Sequence, residues 1–169
     1  MKSIIIYDSL TGNTQELAET IKEKLIDAYY EKISDKLIEE VPEGDIYYVG
    51  TPIIKGMCTE KIRCLLEKLE NKKVFLFATA GFGGSKEYFD TLEERIKKII
   101  PKSTKIMGTF VCQGKMQNQV KDKYLELIRE HPEDKNLQVS LQNFEQAKKH
   151  PDEKDKEDLR KQIEKINLT

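Results

Sequence analysis

The sequence has few of the residues that build metal sites and disulfide frameworks: it contains no tryptophan, three cysteines and two histidines among 169 residues. Cys58, Cys64 and Cys112 form no CxxC pair and no disulfide framework, so we expect three reduced thiols in a cytoplasmic protein. His131 and His150 are each followed by proline and acidic residues, which is typical of one helix ending and another beginning. We therefore predict no metal site and no catalytic residue.

Long apolar runs and a surplus of charge are also missing. No run approaches the ~20 apolar residues that span a bilayer. Asp8 interrupts the apolar start MKSIIIYDSL, so a secretory signal is not expected either. The formal net charge of −1 argues against nucleic acid as a partner, because neutralising phosphates needs a basic surplus. These absences exclude a membrane protein and an obligatory nucleic-acid binder.

The apolar residues that are present are unevenly distributed. Residues 1–115 hold nearly all the apolar runs, whereas residues 116–169 are mostly Lys, Glu, Asp and Gln. We predict one domain over 1–115, followed by a charged helical segment over 116–169 that packs on the same domain. Three amphipathic stretches in this segment are expected to dock on the domain. Whether they cover a sheet face, form a dimer contact or bind a redox partner stays open.

Within the first 115 residues, short apolar runs alternate with stretches of helical period. The runs rich in β-branched and aromatic residues predict strands over 4–7, 29–34, 45–50, 72–81 and 104–114. The intervening patterns predict helices over 14–28, 61–70 and 91–100, a short helix or turn over 35–44, and loops over 51–60 and 81–90. This alternation predicts an α/β fold with one doubly wound, five-stranded parallel sheet. Ligands of such sheets bind at the carboxyl ends of the strands.

The loop after the first predicted strand, SLTGNT, is the clearest candidate for such a site. The sequence has no GxxxxGK[ST] motif, and no GxGxxG follows the first strand. Instead, Ser9, Thr11, Asn13 and Thr14 offer hydroxyl and amide groups at the start of a helix, and Gly12 permits a close turn. Backbone N–H groups and the helix dipole favour an anion there. The loop has no Lys or Arg, so an anion would be held by dipoles alone. The alternative is that Thr11 or Asn13 merely caps the helix.

The segment Ser9–Thr14 resembles the FMN phosphate loop of flavodoxins, written [T/S]-x-T-G-x-T. DIYYVGTPIIKG resembles the strand and loop that form one wall of the flavin site in that family, and VFLFATAGFGGSKEYF resembles those of the other wall. The similarity covers about residues 1–115. It implies a flavodoxin-like sheet of strand order 2-1-3-4-5, here with extra C-terminal helices.

The resemblance also implies which residues bind FMN. The phosphate would contact Ser9, Thr11, Gly12, Asn13 and Thr14. One side of the flavin would be lined by Thr51, Pro52, Ile53, Lys55 and Gly56. The other side would be lined by Ala80, Gly81, Phe82, Gly83, Tyr88 and Phe89. Three features depart from the family. Many members have a tryptophan in the loop after strand three, and this sequence has none. In the loop after strand four, Phe82 or Tyr88 would take the place of the tyrosine that often stacks on the ring, and the charge is near neutral rather than strongly acidic.

The function implied is that of an FMN-binding carrier that shuttles low-potential electrons between redox enzymes. Its partners would be a reductase and an acceptor enzyme, and the chain would be a monomer or a weak homodimer. The peptide next to Gly56 is expected to rotate on reduction and to offer a carbonyl to the flavin, because positive φ costs glycine little. The alternative is an FMN-dependent NAD(P)H or quinone oxidoreductase. A third possibility is a binding module that keeps the fold without the flavin.

Overall fold

The computed structural model describes residues 1–167, apart from the side chain of Asn167. The strands are β1 (Ser3–Tyr7), β2 (Tyr29–Lys32), β3 (Ile46–Pro52), β4 (Lys73–Ala80) and β5 (Lys105–Gln113). The helices before β5 are α1 (Asn13–Lys24), α2 (Asp35–Glu39), α3 (Glu60–Glu67) and α4 (Lys86–Lys97). Those after β5 are α5 (Asn118–Glu130), α6 (Lys135–Ala147) and α7 (Glu153–Asn167).

The strands form one sheet of order β2-β1-β3-β4-β5, and every neighbouring pair is parallel. This confirms the predicted doubly wound topology. Because all strands run the same way, the loops that follow β1, β3, β4 and β5 meet at one edge of the sheet. At this edge, Tyr7 of β1 is paired with Lys32 of β2 on one side and with Gly50 of β3 on the other.

Both faces of the sheet are covered, because successive strand residues point to opposite sides. On one face, Ile4 and Val49 pack with Leu65 of α3 and Ile96 of α4. On the other face, the fully buried residues come from β1, β3, β4, α1 and α7, among them Ile5, Tyr48, Phe75, Leu17 and Ile163. The sheet therefore supports a rigid carboxyl edge from two sides.

The largest errors in the predicted helix boundaries are at the end of α1 and at the start of α4, and α3 and α4 also end three residues earlier than predicted. The structure ends α1 at Lys24, so Ala28 is buried but lies beyond the helix. It begins α4 at Lys86 instead of 91, because the Ser85 side chain accepts a hydrogen bond of 3.3 Å from the Tyr88 N–H and caps the helix. Consequently Tyr88 and the following Phe89 lie in the first turn of α4 and not in a loop over 81–90.

The three helices after β5 differ in how they pack. The last helix, α7, lies against α1 and β5 and buries Leu159, Ile163 and Ile166. By contrast, α5 and α6 pack mainly against each other, and α5 has no fully buried residue. The pair α5–α6, called the hairpin below, is thus inserted between β5 and the helix that completes the second face of the sheet. In the described part of the chain, no helix is both long enough and apolar enough to cross a membrane.

Candidate functional site at the carboxyl edge of the sheet

The loops at the carboxyl edge are joined by hydrogen bonds that continue beyond the strand ends. These bonds run from Asp8 N to Gly50 O (2.9 Å), from Ile53 N to Thr79 O (2.8 Å) and from Gly114 N to Ala80 O (3.0 Å). They hold the loops after β1, β3, β4 and β5 side by side. The predicted site residues therefore lie along one continuous edge.

The turn from β1 into α1 depends on Gly12. This residue precedes the helix with φ of 89°, and a Cβ placed there would meet no heavy atom within 4 Å. The backbone conformation, and not crowding, is therefore what favours glycine here. The N–H groups of Asn13 and Thr14 begin the helix and have no acceptor inside it. The positive end of the α1 dipole lies at the same place.

The polar side chains of this loop bind other parts of the protein. Asn13 Nδ2 donates to Thr11 Oγ1 and to the Lys115 carbonyl, each at 2.8 Å. No side chain of Thr11 or Asn13 caps α1, so the capping alternative is wrong for both residues. A first-turn N–H, that of Gln15, is instead accepted by Ser9 Oγ at 3.3 Å.

The buried end of the loop is fixed to the centre of the sheet. The hydroxyls of Thr14 and Thr79 are 2.9 Å apart, and both residues are almost completely buried. Asn13 Oδ1 is buried and has no hydrogen-bond partner among residues 1–167. Buried acceptors are rarely left unpaired in native proteins, so this oxygen is an acceptor of the loop that still lacks a donor.

A cation reaches the loop from a distant part of the sequence. Lys32 Nζ donates to the Ser9 carbonyl at 2.9 Å. The expectation that dipoles alone would hold an anion is therefore incomplete, since an ammonium group lies beside the loop. The sequence indicated this contact only indirectly. Lys32 is the last residue of β2, and the pairing of β2 with β1 places it opposite Tyr7, just before the loop.

The loop after β3 begins with residues that face inward. Thr51 is buried, and its hydroxyl donates to the Pro52 carbonyl at 2.9 Å and accepts from the Thr59 N–H at 3.2 Å. Pro52 still belongs to β3, and the half-buried Ile53 packs against the core below α3 and α4. The Thr51 side chain is thus engaged within the loop itself.

A tight turn follows, in which Ile54 and Met57 exchange backbone hydrogen bonds of 2.8 and 3.1 Å. Lys55 and Gly56 have φ of 50° and 76°, the signs required by a type I′ turn. Arg95 Nη1 donates to the Gly56 carbonyl at 3.4 Å and lies 2.4 Å from where a Gly56 Cβ would be. The positive φ is therefore what favours glycine at position 56, because the end of the flexible Arg95 side chain could move away from a Cβ. Sequence reasoning missed the contact with Arg95 of α4.

The loop after β4 is more exposed. Ala80 is buried at the strand end, whereas Phe82 keeps 51% of its surface exposed. The Phe82 ring meets Tyr88 edge-on at 5.9 Å, and Tyr88 in turn packs on Phe89 at 6.2 Å. A Cβ on Gly83 would lie 2.3 Å from the Tyr88 ring. Phe82 is thus the outermost aromatic of this loop, and Tyr88 lies behind it.

Exposed apolar side chains mark three of the loops. Leu10, Ile54 and Phe82 are exposed to 59%, 41% and 51%, one in each of the loops after β1, β3 and β4. The edge thus presents the polar start of α1 and one exposed apolar side chain in each of these three loops.

Cys58 and Cys112 are buried thiols, and His150 lies beside carboxylates at the start of α7. Burial raises the pKa of Cys58 to about 11 and the pKa of Cys112 well above its ordinary value, so both thiols remain protonated. His150 Nδ1 lies 2.6 Å from Asp155 Oδ2, while Asp152 and Asp155 exchange hydrogen bonds with each other's backbone N–H at 2.8 and 2.9 Å. These are capping contacts at the start of α7.

The topology and the loops define a doubly wound α/β protein with a site at the carboxyl edge, and comparison with known proteins identifies its family. The family described as Flavodoxin domain matches residues 4–164. The chain is 35% identical over 158 residues to the flavodoxin-like domain-containing protein BilS of Clostridioides difficile (strain CD3), covering 92% of this chain and 90% of that protein. This chain therefore belongs to the flavodoxin family, as the resemblance of its loops predicted.

Solved structures agree with this assignment. The solution structure of two-electron reduced Megasphaera elsdenii flavodoxin superposes with a TM-score of 0.50 at 26% identity, covering 64% of this chain and 84% of that one. The apo form of an NADH:FMN oxidoreductase (EMOB) gives a TM-score of 0.58 at 14% identity, covering 99% of this chain and 89% of that one. The second similarity reports a shared fold alone, because its sequence identity is low.

Proposed function

We propose that this chain binds FMN at the carboxyl edge of the sheet and carries electrons between redox enzymes. The observation that carries the proposal is the start of α1, where Gly12 turns the chain and the first-turn N–H groups point toward the edge. Lys32 adds a positive charge beside the same loop. A dianionic phosphate matches this combination of donors and charge.

The remaining residues fit the rest of the FMN molecule. The unpaired, buried Asn13 Oδ1 suits a hydroxyl donor, and the sugar-like chain of FMN carries several. The exposed side chains of Leu10, Ile54 and Phe82 suit a planar apolar ring. Phosphate, hydroxylated chain and ring thus each have a counterpart along one edge.

When bound, FMN would supply one- and two-electron redox chemistry, and the protein would supply orientation and electrostatics. The Gly56 carbonyl is the acceptor that we assign to a ring N–H of the flavin. It accepts the long 3.4 Å contact from Arg95, and the same peptide donates the Met57 N–H to the Ile54 carbonyl at 3.1 Å. Rotation of this peptide would therefore break one hydrogen bond of the turn, worth about 0.5–1.5 kcal/mol. The positive φ of 76° at Gly56 itself costs a glycine little.

Exposure favours a carrier over an enzyme with its own substrate pocket. The loops after β3 and β4 present Ile54 and Phe82 to solvent, so that a redox partner would reach the ring edge directly. The partners that we propose are a reductase and an acceptor enzyme, and we expect the chain to bind them as a monomer or a weak homodimer.

The proposal is tested by titrating the flavin-free protein with FMN and with riboflavin, which lacks the phosphate. We expect FMN to bind at least about 10-fold more tightly, because hydrogen bonds to a charged group are among the strong ones. In Gly12→Ala, the strained turn should reduce this preference while riboflavin binding is kept. Gln15→Ala, on the exposed side of the same helix turn, is the matched control and should bind both as the wild type does. Equal affinity for the two flavins would contradict the phosphate site.

A second measurement separates the carrier from the alternative oxidoreductase. The FMN-loaded protein is mixed with NADH or NADPH and a quinone, with and without an added flavodoxin reductase. Turnover only with the added reductase is the expected result. Steady oxidation of the nicotinamide by the purified chain alone would overturn the carrier function and favour the enzyme.

A further inference from the structure

The loop after β4 is held from outside the sheet by a side chain of the hairpin. The Gly81 carbonyl accepts from Asn143 Nδ2 of α6 at 3.0 Å and from Gln113 Nε2 at 3.3 Å. Gln113 Nε2 also donates to Asn143 Oδ1 at 2.9 Å. These three residues form a closed network, and Gln113 in its centre is only 3% exposed.

The hairpin also covers the loop by direct packing. A Cβ at Gly81 would lie 2.4 Å from Cγ of Met116, the residue that leads from β5 into α5. Only glycine therefore allows the loop to approach the base of the hairpin this closely. Gly81 is fixed on one side by Met116 and through its carbonyl by Asn143.

The same junction between β5 and α5 contacts the loop after β1. Lys115 accepts from Asn13 Nδ2 at 2.8 Å through its carbonyl, and its N–H donates to the His150 carbonyl at 3.1 Å. Asn13 Nδ2 would lie 2.6 Å from a Cβ on Gly114. The segment 113–116 thus touches two of the three loops that we assign to the flavin, those after β1 and β4.

We propose that the hairpin is part of the flavin site and that Asn143 is a positioning residue, which sets the loop over residues 81–84 for the ring. This inference rests on the proposed FMN site. Asn143 does not reach the ring itself; it orients the Gly81 carbonyl and thereby the following residue, Phe82.

Asparagine suits this role because it both donates and accepts. Its amide N–H satisfies the Gly81 carbonyl, while its oxygen accepts from Gln113. Aspartate has the same shape but has no N–H to donate, so Asn143→Asp would place an acceptor against the Gly81 carbonyl. Asn143→Ala removes both contacts. The two variants therefore test the same bond with different steric consequences.

The experiment compares wild type, Asn143→Ala, Asn143→Asp and the control Gln142→Ala, an exposed neighbour on the same helix. Two quantities are measured: amide hydrogen exchange of residues 82–84 in the flavin-free protein, and the dissociation constants for FMN and riboflavin. We expect faster exchange at 82–84 in both Asn143 variants. We also expect both flavins to bind about 3- to 10-fold more weakly, the loss typical of one hydrogen bond. Gln142→Ala should behave as the wild type.

The ratio of the FMN affinity to the riboflavin affinity distinguishes the loop after β4 from the proposed phosphate loop after β1. If Asn143 positions the ring side, FMN and riboflavin lose affinity by the same factor. If amide exchange at residues 82–84 becomes faster but the flavin affinities do not change, Asn143 has a structural role only and the proposal is wrong. If amide exchange does not change either, Asn143 does not hold this loop at all. If the wild-type chain binds neither flavin, the proposed function is wrong, and this inference is wrong with it. If the wild type binds FMN but the Asn143 variants bind it equally well, only this inference is wrong.

Discussion

The loops after β1 and β4 lie at the same edge of the sheet but are constructed differently. The loop after β1 turns its polar side chains inward: Thr14 is within hydrogen-bond distance of Thr79 in β4, and Asn13 binds Lys115. The loop after β4 exposes Phe82 and owes its fixed carbonyl to Asn143 of the hairpin. One half of the site is thus built into the sheet, while the other half is held by an added element.

Because of this difference, we expect substitutions in the two loops to affect different quantities: the free energy of unfolding in one case and the flavin affinity in the other. Substitutions in the loop after β1 remove buried hydrogen bonds and should lower the free energy of unfolding. Substitutions in the loop after β4 change exposed groups, so they should affect flavin binding with little effect on unfolding. Three predictions examine this contrast, from the largest expected effect to the smallest.

The largest effect is expected from Thr14→Val. The substitution keeps the shape of the side chain but leaves the buried Thr79 hydroxyl without its partner at 2.9 Å. The free energy of unfolding should fall by about 1–3 kcal/mol, measured by urea denaturation. Thr79→Val should cost a similar amount, and the double variant should cost less than the sum of the two because neither hydroxyl is then orphaned. Strict additivity would mean that the two hydroxyls do not stabilise each other.

A smaller effect on stability, with a clear effect on binding, is expected from Phe82→Ser. Because this side chain is 51% exposed, the free energy of unfolding should change by no more than about 0.5 kcal/mol. Flavin affinity should fall by about 3- to 10-fold if the ring lies against it. Ile26→Ser, exposed to 78% in the connection between α1 and β2, is the matched control and should leave binding unchanged. Equal losses of affinity in the two variants would point to a general surface effect.

The smallest effect is expected for the loop after β3. Cys58 lies in this loop, and its reaction with a thiol reagent reports how often the loop opens. Burial raises its pKa to about 11, so native protein at about pH 8 should react with a thiol reagent at the half-buried Cys64 alone. Mass spectrometry of the labelled peptides gives the site. Rapid labelling of Cys58 would show that this loop opens as readily as the exposed loop after β4.

The same shift predicts the direction of a pH effect. The unfolded chain releases the Cys58 proton near the ordinary thiol value of 9.0, whereas the native state holds it until about pH 11. The native state therefore binds more protons in this interval, and the free energy of unfolding falls as the pH rises through it. In a Cys58→Ala variant, this contribution should be lost.

The sequence was sufficient for the sheet and for the loops that meet at its carboxyl edge, because both depend on local patterns. Each of these patterns lies within a short stretch of sequence: the apolar runs, the helical periods and the loop SLTGNT. The contacts of Lys32 with Ser9, of Lys115 with Asn13 and of Asn143 with Gly81 join positions separated by 23, 102 and 62 residues. No local pattern indicates such contacts, and they appear only when the topology places the elements together.

The start of α4 was a different kind of failure. Ser85 offered a local capping signal, but the neighbouring glycines Gly81, Gly83 and Gly84 favoured a loop that continued to residue 90. The positive φ values of Gly83 and Gly84, 105° and 106°, show that the glycines do form a turn. The helix simply begins directly after it.

The placement of α7 after the hairpin has a consequence for protein synthesis. Leu159 and Ile163 complete the apolar layer over Ile5, Tyr48 and Phe75, which belong to strands made much earlier. Until α7 has been synthesised, α1 alone covers that side of the nascent sheet, and the apolar residues that pack on Leu159 and Ile163 stay exposed. Premature termination within the hairpin would therefore yield a fragment that is prone to aggregation.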